Sequence, residues 1–235
     1  MEQYPASEEG RREKSRTNRA MFDAIAQRYD VLNRIMSLGL DVRWRRRLVE
    51  WCTVGKGMKC LDLCCGTGDV TRELPRHGAQ VTGLDASEHM LAIARSRETP
   101  GVHYVQGDAL NLPFPDDSFD AVTIAFGNRN VASLEMLYAE MRRVAKPGGR
   151  VVSLEINRPA NRLFAACFFF YFTHIPPLIA RLFGANPSAY HYLPESVRHY
   201  PSPHTVAEIM QHAGFHDVAI ERHLGGVFVL HRGLA

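Results

Sequence analysis

The fold of this chain is decided by the stretch Cys60-Leu61-Asp62-Leu63-Cys64-Cys65-Gly66-Thr67-Gly68-Asp69. An apolar run with one acidic residue leads into a glycine-rich turn, and a helical pattern begins at about Asp69. This order predicts a strand–turn–helix unit whose turn lies at the carboxyl end of a parallel strand, where open α/β sheets bind ligands. At Gly66 and Gly68 the backbone is able to approach a ligand closely, because a Cβ there would collide with it.

The residues beside this turn indicate the kind of ligand. Asp62 and Asp69 place negative charge next to the turn, which is unfavourable for a pyrophosphate. Thr71 stands where a dinucleotide-binding fingerprint has its third glycine, so an NAD-dependent oxidoreductase is disfavoured. A cationic ligand that carries a nucleoside fits better, and S-adenosylmethionine is the common one.

Acidic residues also come after the next two predicted strands. Asp85 lies about twenty residues after the turn, where a carboxylate can accept both hydroxyls of a ribose. Asp108 comes after the third strand and can accept the amino group of adenine. Three acidic strand ends together favour S-adenosylmethionine as the cofactor. The candidate cofactor-binding residues are Asp62, Gly66, Thr67, Gly68, Asp85, Ala86, Asp108 and Ala109.

The central part of the chain alternates short apolar runs with helical patterns, which is typical of a parallel sheet with crossover helices. The predicted strands are 59–63, 80–84, 102–106, 119–125 and 150–155. The predicted helices are 69–76, 88–95 and 134–145, and residues 146–149, Lys-Pro-Gly-Gly, are expected to form a turn. Residues 217–222 and 227–231 flank Gly225-Gly226 and indicate an antiparallel hairpin that closes the sheet. The fold class is therefore α/β, with a doubly wound, mostly parallel, seven-stranded sheet.

A single domain is expected from residue 20 to residue 235, because no repeat or low-complexity linker divides the chain. Residues 1–19 are charged and lack apolar periodicity, so they are predicted to be a disordered tail. Helical patterns over 20–55 precede the first strand and are expected to lie over the domain as a cap. Residues from about 157 to 200 form an insertion that we interpret as a helical lid.

The lid begins with ten consecutive apolar residues, 163–172, five of which are Phe. A helix of ten residues covers about 15 Å, whereas a membrane span needs about 20 residues. His174, Pro176, Pro177 and Arg181 are expected to interrupt the apolar pattern beyond this run, so we predict no membrane-spanning segment. Three interpretations stay open: a buried lid helix, a tunnel for an acyl or prenyl chain, and a surface that dips into the membrane.

Composition and charge narrow the possible partners and the compartment. A net charge of +3 is too small to argue for a nucleic-acid partner. Basic residues crowd 11–19 and 43–47, which indicates either solvated helix faces or contact with an anionic membrane surface. Five cysteines form no C-x-x-C pair and the first twenty residues are polar, so a reducing cytoplasm is expected. No metal site is expected, because Gly214 separates His212 from His216 and no further ligand is near.

Four further motifs stand in the order found in a known family. They are YDVLNRIMSLGLDVRW at 29–44, AFGNRNV at 125–131, RVAKPGGR at 143–150 continuing to Glu155, and YHYLPES at 190–196. With the glycine-rich turn, they make the chain resemble the ubiquinone/menaquinone biosynthesis C-methyltransferase family over residues 20 to 232. The resemblance implies the Rossmann-like fold of class I S-adenosylmethionine-dependent methyltransferases. Asp41, Ala125 and Asn157 depart from residues that are common in that family.

The resemblance also implies a reaction, methylation of a ring carbon of a prenylated quinol. An aromatic carbon is a poor nucleophile until its neighbouring hydroxyl ionises, which costs about 4 kcal/mol at pH 7. Arg129 and Asn130 are the catalytic candidates, since a guanidinium can stabilise a phenolate although it cannot act as a base. A structural salt bridge is the alternative role for Arg129. Candidate substrate contacts are Tyr29, Asn33, Tyr190 and Phe168, and the proton acceptor is a water, Asp69 or a lid histidine.

The substrate that the resemblance favours is demethylmenaquinol, which would be converted to menaquinol. Alternatives are a 2-polyprenyl-6-methoxy-1,4-benzoquinol of ubiquinone biosynthesis, an O- or N-methyltransferase of another small hydrophobic molecule, and a catalytically silent cofactor-binding subunit. Peripheral contact with the inner face of the membrane is expected, no nucleic-acid partner is expected, and a homodimer is left open.

Overall fold

The computed structural model describes residues 4–182 and 188–235, except for the side chains of 188–191. Seven strands form one sheet: β1 Lys59–Leu63, β2 Gln80–Asp85, β3 Val102–Gln106, β4 Phe119–Ala125, β5 Ala145–Ile156, β6 His216–His223 and β7 Phe228–Leu234. Their order is β3-β2-β1-β4-β5-β7-β6, with β7 antiparallel between β5 and β6 and the other pairs parallel. The order reverses between β1 and β4, which places a ligand crevice at their carboxyl ends. The predicted fold class is confirmed.

Eight helices surround the sheet in the described part of the chain: α1 Glu8–Ile25, α2 Tyr29–Met36, α3 Leu40–Cys52, α4 Glu88–Ser96, α5 Leu134–Val144, α6 Arg162–Leu182, α7 Ser188–His199 and α8 Pro203–His212. Apolar side chains of α5 and α8 form a buried core on one face of the sheet. Those of α3, α6 and α7 form a second core on the other face. The sheet is therefore covered on both faces, as its buried, apolar central strands require.

The helix predicted at 69–76 is wrong. Residues 66–73 form consecutive turns, with backbone hydrogen bonds from Arg72 to Gly68 and from Leu74 to Val70, and a short 3₁₀ helix follows at Leu74–His77. Pro75 lies at its start and Gly78 ends it with φ +84°. A proline cannot continue an α-helix through this position, because it lacks the N–H donor and its ring clashes with the preceding turn.

The turn predicted at 146–149 is an irregularity inside β5. Ala145 pairs with Phe119 of β4, and the next paired residue is Arg150. The four intervening residues leave the β4 ladder, and Gly148 and Gly149 instead exchange backbone hydrogen bonds with Ala235. The strand therefore begins five residues earlier than predicted.

The expectation of a disordered tail over 1–19 differs from the structure, in which α1 begins at Glu8. Ser7 caps the helix by accepting a hydrogen bond from the Gly10 N–H at 3.1 Å, and the acidic first turn suits the helix dipole. Lys14 is buried with its ammonium 4.5 Å from the centre of the Tyr4 ring. Burial lowers the pKa of Lys14 to about 8. Tertiary contacts rather than apolar periodicity hold this helix.

The lid helix α6 is longer than the ten-residue run from which we predicted it. It spans 21 residues and includes Pro176 and Pro177, both buried, so packing offsets the hydrogen bonds that they cannot donate. Judged by length and composition alone, α6 is long and apolar enough to cross a membrane. In its apolar stretch of 18 residues, 28% is buried inside the protein. The Tyr171 hydroxyl donates to the Met36 carbonyl at 2.9 Å and ties the lid to the cap helix α2.

Candidate functional site

The glycine-rich turn leaves β1 with its backbone in the left-handed region. Cys64 has φ +50°, Gly66 +54° and Gly68 +84°. A Cβ at Gly66 would meet nothing within 4 Å, whereas one at Gly68 would lie 2.5 Å from the Tyr104 hydroxyl. Gly66 therefore presents open backbone to the crevice, and Gly68 is required by protein packing rather than by a ligand.

Asp85 ends β2 beside this turn and binds two backbone amides. Its Oδ2 accepts from the Gly66 N–H at 2.8 Å and its Oδ1 accepts from the Ser87 N–H at 2.8 Å. Burial raises the pKa of Asp85, while the amide donors oppose that shift. The carboxylate thus fixes the turn and the β2–α4 loop relative to one another.

Asp62 is buried beneath the turn and accepts a hydrogen bond from one hydroxyl at each of its two oxygens. Its Oδ2 accepts from Thr71 at 2.6 Å and its Oδ1 accepts from Thr123 at 2.8 Å. Burial raises the pKa of Asp62 to about 6, although both hydroxyl donors favour the ionised form. Thr71, the residue that breaks the dinucleotide fingerprint, therefore has a structural role in holding β1 to the turn.

A cavity of about 920 Å³ opens at the carboxyl ends of β1, β2 and β4. Seven of the residues predicted for the site line it: Tyr29, Gly66, Asp85, Ala86, Asp108, Ala109 and Asn130. It continues between Phe126, Met90 and Met136, so its wall is mixed polar and apolar. A cavity of this size, with a mixed polar and apolar wall, suits a nucleoside-bearing ligand together with an organic substrate.

Helix α1 supplies one wall of the cavity, although residues 1–19 were predicted to be disordered. Arg11, Arg16, Asn18 and Phe22 are among the residues of this wall. The Asn18 side chain donates to the Asn130 carbonyl at 2.5 Å. The one sequence signal for such a helix is Ser7 with two glutamates directly after it, which is typical of a helix N-terminus.

Arg129 does not line the large cavity. Its guanidinium forms an ion pair with Glu155, and its backbone N–H donates to the same carboxylate at 3.1 Å. Burial opposes the charge of Arg129, but Glu155, Tyr29 and Tyr192 together offset that effect, so the pKa of Arg129 lies above its ordinary value. The structure therefore supports the salt-bridge role considered for Arg129, and Glu155 was not predicted as its partner.

Asn130 and Tyr29 reach the cavity from distant parts of the sequence. The Asn130 Nδ2 donates to the Phe126 carbonyl at 3.1 Å, and its Oδ1 is buried without a hydrogen-bond partner among the described residues. Burial raises the pKa of Tyr29, while Arg45 and Arg129 act in the opposite direction. The cavity wall thus carries an unsatisfied acceptor and a tyrosine within the field of two guanidinium groups.

Three other predicted residues, Phe168, Asn33 and Thr67, are not in the wall of the large cavity. Phe168 packs against Phe172 with ring centres 4.3 Å apart inside the second core, and Asn33 faces the Tyr29 side chain. Thr67 is 3% exposed and faces the cap. The Tyr190 side chain lies outside the described residues.

A second, small cavity of about 30 Å³ lies between the glycine-rich turn and the cap, with Arg45 and Asp62 in its wall. Asp69 also lines it but is held by ion pairs, at 2.8 Å from Arg72 and 3.4 Å from Arg45. These pairs leave Asp69 poorly placed to accept a proton from a substrate in the large cavity.

The lid histidine His174 is exposed, and its ring Nδ1 lies 2.8 Å from the Phe170 carbonyl oxygen on the same helix.

The cysteines near the site are not activated nucleophiles. Burial raises the pKa values of Cys64 and Cys65 well above the ordinary value, so the thiolate form is suppressed. Within residues 4–182 and 188–235 there is also no group of three or more His, Cys, Asp or Glu side chains that is suited to a metal ion.

Comparisons with known proteins agree with this geometry. The model of the ubiE/COQ5 methyltransferase family matches residues 11–235. The chain is 43% identical over 214 residues to a demethylmenaquinone methyltransferase of Mycobacterium bovis, covering 91% of this chain and 90% of the relative. It is 45% identical over 218 residues to the one of Thermus thermophilus, covering 91% and 99%.

A solved structure shares the fold at low identity. It is an S-adenosylmethionine-dependent methyltransferase from Thermotoga maritima, with a TM-score of 0.65 and 21% identity, covering 92% of this chain and 98% of that one. The sheet order, the cavity at the switch point and the family match agree. The chain belongs to the ubiE/COQ5 methyltransferase family and is an S-adenosylmethionine-dependent methyltransferase.

Proposed function

We propose that the protein methylates a ring carbon of a prenylated quinol, and that demethylmenaquinol, converted to menaquinol, is its substrate. The observation that carries this proposal is the 43% and 45% identity to two relatives named for that reaction, over 91% of the chain. A cavity of about 920 Å³, with aromatic and aliphatic side chains in its wall, supports it because an aromatic ring needs an apolar site.

The residues of the site fit S-adenosylmethionine, which supplies an electrophilic methyl group on its sulfonium when bound. Asp85 and Asp108 line the large cavity and offer acceptors for the ribose and the adenine amino group. Asp62 and Arg45 face the small adjoining cavity with opposite charges. Those charges complement the ammonium and carboxylate at the amino-acid end of the ligand.

The chain must also favour ionisation of the quinol hydroxyl in a site that excludes water. The unpaired Asn130 Oδ1 is the acceptor that we assign to the hydroxyl before it ionises, where it orients the ring, since burying this oxygen without a partner costs about 1–3 kcal/mol. Ionisation itself has to be favoured by nearby positive charge, because an acceptor stabilises the protonated hydroxyl. Arg129 is held by Glu155, so we propose that it acts through its field rather than by touching the ring. Its charge already opposes the rise in the pKa of Tyr29, which lines the cavity. A phenol bound beside Tyr29 would experience the same field.

Peripheral contact with the inner face of the membrane is a further part of the proposal. Leu163, Phe170, Leu178 and Leu182 are exposed side chains of α6, at 77%, 66%, 52% and 76%. The helix contains no acidic residue and carries an exposed arginine near each end. An apolar helix surface with basic ends favours an anionic bilayer surface, where a prenylated substrate resides.

The proposed reaction is tested by incubating the protein with isotope-labelled S-adenosylmethionine and a panel of reduced prenyl quinols. Mass spectrometry then locates the added methyl group. We expect labelling at a ring carbon of demethylmenaquinol. Labelling of the methoxy-benzoquinol instead would assign the ubiquinone pathway, and labelling on oxygen or nitrogen would contradict C-methylation. Cofactor binding without any turnover would identify a silent subunit.

A further inference from the structure

Two carboxylates of the cap reach the two loops that line the cofactor site. Asp30 belongs to the first turn of α2, and Asp23 lies near the end of α1. Neither carboxylate lines the large cavity. Asp30 nevertheless accepts a hydrogen bond from Thr67, which directly follows Gly66 of the cavity wall. Asp23 accepts one from Ser87, which itself lies in that wall.

Asp30 closes a three-membered network around the glycine-rich turn. Its Oδ1 accepts from the Thr67 hydroxyl at 2.6 Å, and its Oδ2 pairs with the Arg97 guanidinium. Arg97 in turn donates to the Thr67 carbonyl at 3.0 Å. Side chain and backbone of Thr67 are therefore both held, and the flanking Gly66 and Gly68 carry the positive φ angles of the turn.

Asp23 holds the second loop through Ser87. The Ser87 hydroxyl donates to Asp23 Oδ1, and the same hydroxyl accepts from the Met90 N–H at 3.1 Å as the cap of α4. The Ser87 N–H donates to Asp85, which also binds Gly66. The cap carboxylates, the turn and Asp85 thus form one continuous network.

We propose that Asp30 and Asp23 are positioning residues for S-adenosylmethionine, acting through Thr67 and Ser87 respectively. A glycine-rich turn has several backbone conformations of similar energy, so fixing it before the ligand arrives reduces the entropy lost on binding. The proposal assigns to the cap a role in cofactor affinity besides covering the cavity. It uses the family's cofactor but does not depend on which quinol is methylated.

The charge on these partners makes the effect large enough to measure. A hydrogen bond between a hydroxyl and a carboxylate, partly buried, is stronger than one between neutral groups. Asp30 and Arg97 have side chains that are 20% and 30% exposed, so their pair is only partly screened by solvent. Loss of the Asp30 contact should therefore weaken cofactor affinity at least tenfold.

The test measures affinity for S-adenosylhomocysteine by calorimetric titration, together with the melting temperature of the unliganded protein. The variants are Asp30→Asn, Thr67→Val and the double variant, and Thr67→Ser is the conservative variant that keeps the hydroxyl. Glu50→Gln is the control, because it removes an exposed ion pair with Arg47 within α3 and Glu50 does not line the large cavity. Asp23→Asn tests the second contact separately.

We expect Asp30→Asn and Thr67→Val each to weaken binding at least tenfold. The double variant should bind S-adenosylhomocysteine no more weakly than the single variant with the lower affinity. Thr67→Ser and Glu50→Gln should bind within twofold of the unmodified protein, and Asp23→Asn should weaken binding several-fold. A lowered melting temperature with affinity unchanged would show that the network only stabilises the fold and would overturn the proposal. Additive losses in the double variant would overturn the coupling between Asp30 and Thr67. If Asp30→Asn does not fold, the comparison of Thr67→Val with Thr67→Ser decides the question.

Discussion

Arg129 directly precedes Asn130, a residue of the cavity wall, and forms an ion pair with Glu155. The two side chains are 10% and 1% exposed. Glu155 also accepts from the backbone N–H groups of Arg129 and Ile156, at 3.1 and 2.8 Å. The carboxylate therefore orients both the guanidinium and the loop after β4. This relationship makes Arg129 a structural residue first, and any electrostatic contribution to the reaction depends on Glu155.

Breaking this pair should destabilise the fold. Glu155→Gln keeps an acceptor for the two amides but removes the charge that compensates the buried guanidinium, so we expect a loss of about 3–5 kcal/mol in the free energy of unfolding. Arg129→Met should also destabilise, and the double variant should lose less than the sum of the singles. Urea denaturation of all four proteins gives the coupling energy, which we expect to be about 2 kcal/mol. A coupling energy near zero would show that the two side chains are not paired in solution.

Asn130→Ala should slow methyl transfer while leaving affinity for S-adenosylhomocysteine within about twofold of the unmodified protein. The reason is that the unpaired Oδ1 belongs to a residue of the cavity wall, whereas no predicted cofactor contact depends on it. Asn130→Asp restores an acceptor but adds a charge that opposes ionisation of the quinol, so it should not restore the rate. Single-turnover kinetics with saturating cofactor separates the two effects. An unchanged rate in Asn130→Ala would remove this residue from the reaction.

The sequence predicted the fold and the site well where a local residue pattern determines the structure, and less well where distant contacts do. Strands 59–63 and 119–125 were predicted with the bounds that the structure has, since apolar runs between turn residues report burial directly. The acidic strand ends Asp85 and Asp108 were placed at the cavity for a related reason, because parallel strands end at one edge. The local sequence pattern was therefore sufficient to predict residues whose positions are fixed by the parallel sheet.

The errors concern residues whose roles are set by distant partners. Helix α1 has little apolar periodicity, and it is held by contacts such as Asn18 with the Asn130 carbonyl, 112 residues away. Arg129 and Glu155 are separated by 26 residues, and only the pairing of β4 with β5 brings them together. Phe168 lies in a run of phenylalanines whose buried and exposed members alternate by helix face, which the run alone does not reveal.

Asp85→Ala should weaken cofactor binding by roughly 10- to 150-fold, the equivalent of the 1.5–3 kcal/mol that a hydrogen bond to a charged group contributes. The variant also frees the Gly66 and Ser87 amides, so the turn loses its anchor. Calorimetric titration with S-adenosylmethionine measures the loss, and Glu98→Gln at an exposed position serves as the control. Unchanged affinity would exclude Asp85 from the site.

Asp62 should make stability depend on pH in a defined direction. Its pKa is raised to about 6 from 3.8, so the folded state resists ionising it. Stability contributed by the protonated form is therefore lost as pH rises from about 4 through 6, by up to about 3 kcal/mol. Asp62→Asn lacks this loss, so the stability of the unmodified protein relative to the variant should fall over that range.

The measurement for Asp62 is urea unfolding of both proteins at about pH 4.5 and pH 7, on either side of the raised pKa. Comparing the two proteins cancels the opposite contribution of His231, whose pKa burial lowers to about 4 and which is present in both. A difference between the proteins that does not change with pH would show that Asp62 ionises at its ordinary pKa.

The buried and exposed faces of α6 should respond differently to substitution. Phe168→Ala opens the core and should cost about 3–5 kcal/mol of stability. Phe170→Ser and Leu178→Ser change exposed positions, so together they should leave stability nearly unchanged yet reduce sedimentation with vesicles that contain anionic lipid. Vesicles of neutral lipid serve as the control, because binding that needs the basic ends of α6 should be weak there. Unaltered vesicle binding in the double variant would exclude this face, and loss of a dimer in analytical ultracentrifugation would assign it to a second copy of the chain instead.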